Sequence, residues 1–190
     1  MRIIGGRLKG RRLAAVRGPL RPTADRVREA IFNILGAACH QARVLDLFAG
    51  TGALGIEALS RGASRAVFVE NHRSSLQVLR RNVEQCGLAQ VSRIMALPAA
   101  KALPRLAAAG EKFSLIFLDP PYGSGQAGAV LTLLAESRLL RPEGRIIVEH
   151  GRQDEPASTY QDLTRTDQRR YGGTLVSFYG VAGFQFPVSS

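Results

Sequence analysis

The sequence predicts an α/β fold built on a mostly parallel sheet, and three observations carry that reading. Short apolar runs alternate with stretches of helical periodicity from residue 43 onward. A glycine-rich turn joins the first run to the first of those stretches, and two of the runs end in an acid, Glu70 and Asp119. Strands alternating with helices imply a parallel sheet covered on both faces, whose strands are apolar nearly throughout.

Residues 1–22 are rich in Gly and Arg, with short apolar pieces at Ile3-Ile4 and Leu8 that suit a small hairpin or arm. After Pro22, Thr23 is placed to cap a helix in which Val27, Ala30, Ile31, Ile34 and Leu35 share one face, and Gly36 ends it. The first strand spans 43–48, and a helix from about 52 to 61 follows the glycine turn. A second strand, 66–69, closes at Glu70, and helical sequence over 72–86 stops at Gly87. A third strand at 91–95, an Ala-rich helix at 99–109, a fourth strand at 113–118 and a helix at 125–137 continue the alternation. Leu139 to Gly144 reads as a turn before a fifth strand at 145–149. Residues 163–169 and 174–179, around Tyr171-Gly172-Gly173, read as a terminal antiparallel hairpin.

With 190 residues and 45% hydrophobic content, the chain suits one main domain, 23–190, preceded by a basic arm, 1–22. The formal net charge of +11 argues for a polyanionic partner. Nine of the cations, but only Asp25 among the acids, lie within residues 1–28. Arg predominates there, and its planar fork suits bidentate phosphate contacts. Cys39 and Cys86 have no CxxC partner, so buried free thiols are expected rather than disulfides or a zinc site. His40, His72 and His150 share no ligand spacing and are expected at surface or edge positions. No apolar run has the length of a membrane span and the start lacks a signal peptide's apolar stretch, so a cytoplasmic protein is expected.

Two motifs carry chemistry. In the first, Asp46-Leu47-Phe48-Ala49-Gly50-Thr51-Gly52-Ala53-Leu54-Gly55 sets glycines at GxGxxG spacing between a strand and a helix, and Glu70 closes the next strand where an acid meets ribose hydroxyls. This pair signals an adenosine-containing cofactor, either a nicotinamide dinucleotide or S-adenosylmethionine. A pyrophosphate on the helix N-terminus would be opposed by an acid as close as Asp46, whereas a cationic amino-acid portion would be attracted to it. That favours the sulfonium cofactor.

The second motif is Asp119-Pro120-Pro121-Tyr122, directly after the apolar run 113–118. Each proline fixes φ and removes an N–H, so the segment leaves the ladder with its carbonyls in a preset geometry. An exocyclic amine on a nucleobase offers two N–H donors, which a carboxylate and a prolyl carbonyl are suited to accept, and a tyrosine ring can stack on the base. A Pro-Pro cap after a core strand is the plainer alternative.

Asp46 to Gly52, Glu70 and Asp119 to Tyr122 together resemble a class I S-adenosylmethionine-dependent methyltransferase acting on exocyclic base nitrogens. The opening Arg2 to Leu13, then Arg21-Pro22-Thr23 and Arg26 to Leu35, is similar to the RsmD family, and the likeness covers nearly the whole chain. Those enzymes methylate N2 of a guanine, position 966 in the usual numbering, in bacterial 16S ribosomal RNA. The resemblance implies a Rossmann-like, mostly parallel seven-stranded sheet with a C-terminal antiparallel hairpin. It implies a cofactor site from Asp46, Phe48, Gly50, Thr51, Gly52, Glu70, Asn71, Pro98, Ala99 and Asp119. Asp119 and the Pro120 carbonyl orient the guanine amine and Tyr122 stacks on the base. RNA contacts fall to Arg7, Lys9, Arg11, Arg12, Arg21 and Arg26. The partner implied is 16S ribosomal RNA in the small subunit or an assembly intermediate, with no metal, no membrane, and a monomer as the default. One departure stands out: where the family usually shows Asn or Asp against the cofactor's adenine, this chain reads Ala96-Leu97-Pro98-Ala99. A backbone group near Pro98 is the expected substitute.

An N6-adenine methyltransferase shares both motifs, since adenine also presents an exocyclic amine. A non-catalytic RNA-binding module and a nicotinamide-dependent enzyme are the remaining alternatives.

Overall fold

Period-two alternation along the central strands decides how the molecule is layered. The computed structural model describes residues 1–15, 22–121 and 123–184, with backbone alone for 22–24. The strands are β1 (Arg43–Leu47), β2 (Arg65–Glu70), β3 (Ser92–Ala96), β4 (Phe113–Leu118), β5 (Leu140–Gly151), β6 (Thr159–Tyr160), β7 (Leu163–Tyr171) and β8 (Thr174–Val181). The helices are α1 (Pro22–Leu35), α2 (Ala53–Ser60), α3 (Arg73–Gln85), α4 (Ala99–Ala108) and α5 (Gln126–Ser137). On one face of the sheet Val44, Phe68, Leu115 and Phe117 pack with Val27 and Ile31 of α1, Ile56 of α2 and Leu79 of α3. On the other, Leu45, Leu47, Val67, Ile116 and Leu118 pack with Leu103 of α4 and Leu131 of α5. Each fully buried side chain of this size contributes about 1.5–3 kcal/mol, so these two layers hold the strand ends in register.

The eight strands among the described residues run in the order β3-β2-β1-β4-β5-β8-β7-β6. β3, β2, β1, β4 and β5 are parallel neighbours, and β8 returns antiparallel between β5 and β7. The chain leaves β1 toward β2 and β3 and crosses back to β4 on the other side of β1. That reversal is the switch point at which open α/β sheets bind ligands beyond the carboxyl ends of their strands. Leu47 of β1 stands beside Leu118 of β4, so the glycine turn and the Asp119 segment emerge side by side.

Four details differ from the sequence reading. The expected turn at 139–144 belongs to β5: Phe113 pairs with Leu140 and Leu115 with Arg145, so the extra residues bulge within a continuing strand. The two-residue strand β6 pairs with β7, giving eight strands where seven were expected. α1 already begins at Pro22, whose fixed φ suits the first helical position, so Thr23 lies inside the first turn rather than before it. His150 is 2% exposed rather than at the surface, because it shares parity with Ile146 and Val148 on the α4–α5 side of β5 and meets Ser177 Oγ of the adjacent strand β8 at 2.8 Å. Cys39 and Cys86 are buried free thiols.

Residues 1–15 pack against the domain. Ile3 and Leu13 are buried in the α1–α3 layer, and residues 1–3 and 10–13 pair antiparallel around a 3-10 turn at Gly6–Leu8, through an Arg2–Arg12 bridge and backbone hydrogen bonds from Ile3 to Arg11 O, Gly10 to Ile3 O and Leu13 to Met1 O. The anchor is a buried carboxylate. Glu57 of α2 accepts the N–H of Ile4 and of Gly5 at 2.8 Å each and pairs with Arg61 Nε at 2.8 Å. Asn82 of α3, fully buried, accepts Ala14 N at 2.8 Å and donates to Ala14 O at 3.0 Å and Thr51 O at 2.9 Å. One side chain thus joins the basic segment to the glycine turn.

Candidate active site

Asp46 is the one acid among the apolar positions of β1, and its place is set by the strand's own alternation. It shares parity with Val44, so it faces α2, where its Oδ2 accepts the Gly55 N–H at 2.8 Å. Gly55 is required there: a Cβ would lie 2.3 Å from Phe68 Cε1 and 3.0 Å from that carboxylate oxygen. Gly52, with φ +82°, begins the helix in the left-handed region, and a Cβ on it would meet Leu79 Cδ1 at 2.4 Å. Burial raises the Asp46 carboxyl to about 7, with Glu70 adding in the same direction and the Gly55 N–H opposing. A carboxylate so poorly solvated favours an incoming cation.

Phe48 follows with φ +59°, a strained conformation for a side chain of its size. It stands between two clefts. A cleft of about 200 Å³ is lined by Asp46, Phe48, Gly50, Thr51 and Asp119, together with Arg28, Glu149 and Met1. A second, of about 280 Å³, is lined by Phe48, Glu70, Asn71, Pro98, Ala99 and Pro121 among others. The glycine turn, the acid that ends β2, the start of α4 and the Asp-Pro-Pro segment therefore meet around one aromatic ring.

Glu70 is held by backbone donors: Gly50 N at 2.8 Å, and Asn71 N and His72 N at 2.7 Å each. A carboxylate has about four lone-pair sites, so one remains for a hydroxyl. At the other end of the second cleft, Pro98 precedes α4 and no side chain caps the helix. The Pro98 carbonyl takes the N–H of Lys101 and Ala102, and the leading N–H groups of Ala99 and Ala100 have no acceptor within the helix. Asp119 is exposed at the end of β4, and Pro120 behind it is buried. The Gly123 N–H donates to Asp154 Oδ2 at 2.5 Å, which pins the far side of the loop.

The comparisons agree with this geometry. A family model described as "Conserved hypothetical protein 95" matches residues 1–180. The chain belongs to this family. Among its relatives, the "Putative rRNA methyltransferase YlbH" of Bacillus subtilis is 42% identical over 184 residues, 96% of this chain and 100% of the relative. The "Ribosomal RNA small subunit methyltransferase D" of Escherichia coli K12 is 41% identical over 152 residues, 78% of this chain and 74% of the relative. A solved structure titled "Putative methyltransferase yhhF from Escherichia coli" superposes with a TM-score of 0.83 at 35% identity, covering 95% of this chain and 97% of the other. The fold is the class I, Rossmann-like fold of S-adenosylmethionine-dependent methyltransferases, and this member of the Conserved hypothetical protein 95 family is a methyltransferase.

In this family member, Asp46, Phe48, Gly50, Thr51 and Asp119 lie together in the first cleft, and Glu70, Asn71, Pro98 and Ala99 in the second. Gly52 lines neither and serves packing instead. Tyr122 and Arg21 lie outside the described residues. Arg7, Lys9, Arg12 and Arg26 are exposed. Arg11 is also exposed, but it donates to Gln85 O at 2.7 Å and so closes the C-terminal end of α3. The sequence reading missed Arg28, which is 4% exposed, donates to Arg2 O at 2.6 Å, pairs with Asp25 at 3.2 Å and lines the first cleft. It also missed Glu149. The signal was available, since Glu149 closes the fifth predicted strand as Glu70 closes the second.

Proposed function

We propose that this chain transfers the methyl of S-adenosylmethionine to the exocyclic N2 of a guanine in 16S ribosomal RNA, acting on the small subunit or its assembly intermediate in the cytoplasm as a monomer. The observation that carries the reading is the adjacency of the β1 and β4 ends, which puts a cation-favouring carboxylate, Asp46, and an amine-accepting one, Asp119, in one cleft. The names of the relatives, a ribosomal RNA methyltransferase in each case, support the substrate class.

The residues fit the cofactor. Asp46 faces its ammonium group, Glu70 has capacity for a ribose hydroxyl, and the α4 N–H groups meet the adenine. When bound, the cofactor supplies an electrophilic sulfonium methyl. Everything else is positioning. Asp119 and the Pro120 carbonyl accept the two amine hydrogens, which turns the nitrogen lone pair toward the methyl, and Asp119 or water takes the proton released. Tyr122 stacks on the base. A loop guanine costs less to extrude than a stacked one. Arg7, Lys9, Arg12 and Arg26 hold the phosphates around it, with Arg11 and Arg21 at the margins of that surface.

Labelled S-adenosylmethionine, incubated with small-subunit particles lacking the modification, tests this once the methylated nucleotide is mapped. Label on guanine N2 is the expected result. Label on adenine N6, or none, defeats the reading.

A further inference from the structure

Three carboxylates share one face of the sheet near its carboxyl edge, Asp119 level with Glu149 and Asp46 level with Phe117, two residues further back. Strand alternation puts Val44 of β1, Phe117 of β4 and Ile147 of β5 in the α1–α3 layer. Two residues on from each come Asp46, Asp119 and Glu149, and all three line the 200 Å³ cleft. Leu118 is paired with Val148, so Asp119, just beyond the end of β4, stands beside Glu149, still within the parallel strand β5, with the strands about 4.8 Å apart in the hydrogen-bonding direction. Asp46 lies on the far side of Asp119 from Glu149, because β4 sits between β1 and β5. The cationic guanidinium of Arg28 lines the same cleft, and its buried Nε has no hydrogen-bond partner. A positive group there lowers the cost of gathering three acids.

We infer that Glu149 reads the N1–H of the target guanine and so selects guanine over the other amino-bearing bases; the inference rests on the guanine-N2 reading above. The chemistry is selective because only one base has the right neighbour. Guanine alone among adenine, cytosine and guanine carries a ring N–H beside its exocyclic amine. Adenine and cytosine present a ring nitrogen lone pair at that place. With the amine held at Asp119, the next position along the Watson–Crick edge falls toward β5, where Glu149 stands half-buried. A carboxylate there accepts a hydrogen bond from guanine and repels the lone pair of adenine. The motif at 119–122 accepts any exocyclic amine, so Glu149 supplies a choice that the motif does not make.

The test uses reconstituted small-subunit particles whose 16S ribosomal RNA carries guanine, 2-aminopurine or inosine at the mapped nucleotide. 2-Aminopurine keeps the 2-amine but has a lone pair at N1, and inosine has no amine and sets the background. Wild-type enzyme is expected to prefer guanine over 2-aminopurine on the order of 100-fold. In Glu149→Gln, whose amide donates to a lone pair, that ratio is expected to fall at least about tenfold while S-adenosylhomocysteine binding persists. Glu149→Ala replaces it if the glutamine variant fails to bind S-adenosylhomocysteine. Guanine N2 methylation with a wild-type ratio near one, or with a ratio unchanged in both variants, overturns the role of Glu149 and leaves the activity standing. Methylation mapped to adenine N6 instead overturns the activity itself.

Discussion

On the cofactor side of the cleft both carboxylates are gripped by backbone N–H groups, Asp46 by Gly55 and Glu70 by Gly50, Asn71 and His72. On the acceptor side the carboxylate of Asp119 is exposed at the head of a proline-stiffened loop. The first wall is finished before any ligand arrives, and its Asp46 carboxyl is held at about 7 by burial. The second is stiff but open, because a nucleotide must reach it from outside. A fold can thus fix a small cofactor with preset dipoles and leave the polymer-facing half accessible, at a cost in stability on the closed side.

If the two walls are separable, breaking one leaves the other intact. Asp119→Ala is expected to lower turnover by on the order of 10²–10⁴-fold, with S-adenosylhomocysteine affinity by equilibrium dialysis unchanged. Parallel loss of both quantities ends the separation, and equal turnover removes the carboxylate from the mechanism. Asp46→Asn is expected to do the converse, weakening cofactor binding about 10–100-fold by removing the charge that faces its ammonium group. The same change should raise the stability of the ligand-free protein. A carboxyl whose folded pKa is raised from 3.8 to about 7 holds its proton more tightly when folded, so stability falls as pH rises from about 4 to 7. The variant should therefore melt later than wild type at pH 8, by on the order of 1–3 kcal/mol, and almost equally at pH 4. Melts that coincide at pH 8 would show that Asp46 is not strained by burial.

Most of the cofactor wall was legible because its chemistry is local. Asp46, Gly50 and Glu70 lie on two consecutive strands and one turn, where spacing alone predicts proximity, whereas Gly52, read from the same spacing, serves packing. The Asp119 segment was legible for the same reason. What spacing did not show was lateral: Arg28 reaches the cleft only because α1 packs over the sheet, with Phe32 against Phe117 of β4, and Glu149 joins it only because β5 lies next to β4. The strand order that makes these neighbours is decided by crossovers, which leave no spacing to read. The bulge in β5 escaped for a different reason. Pro142 and Gly144 are turn residues by every local rule, yet pairing with β4 on either side of them keeps the strand continuous. His150 was misplaced because an isolated histidine carries no sign of whether its partner, Ser177, lies across a sheet.

The basic face offers a weaker but still measurable comparison, between arginines spent on the fold and those left for RNA. Arg7, Lys9 and Arg12 are exposed, while Arg11 caps α3 and Arg28 is buried. Replacing Arg7, Lys9 and Arg12 together by Ala should weaken RNA binding about tenfold near physiological salt and reduce the log–log salt slope by about 2–3. Arg11→Ala alone should change the slope by less than one and lower the melting temperature instead. A wild-type affinity insensitive to salt would remove the basic face from substrate binding altogether.

The smallest effect tests the acceptor wall from behind. His150 is held below the usual histidine range, chiefly by burial, with Arg165 acting in the same direction and Gly151, Glu155 and Asp154 opposing. Its Nδ1 lies 3.0 Å from the Gly151 carbonyl and its Nε2 2.8 Å from Ser177 Oγ, so the neutral ring donates at Nδ1 and accepts at Nε2. With the folded pKa below 6.5, the unfolded chain takes up a proton that the native ring refuses, and stability is lost as pH falls through the unfolded value. His150→Gln keeps an acceptor for Ser177 without titrating. The stability difference between wild type and this variant should therefore shift against wild type between pH 7.5 and 5.5, by at most about 1.4 kcal/mol per unit of pH. Taking the difference removes the opposite slope of Asp46, which both proteins share. A difference that stays constant across that range would place His150 in water rather than in the core behind the Asp119 loop.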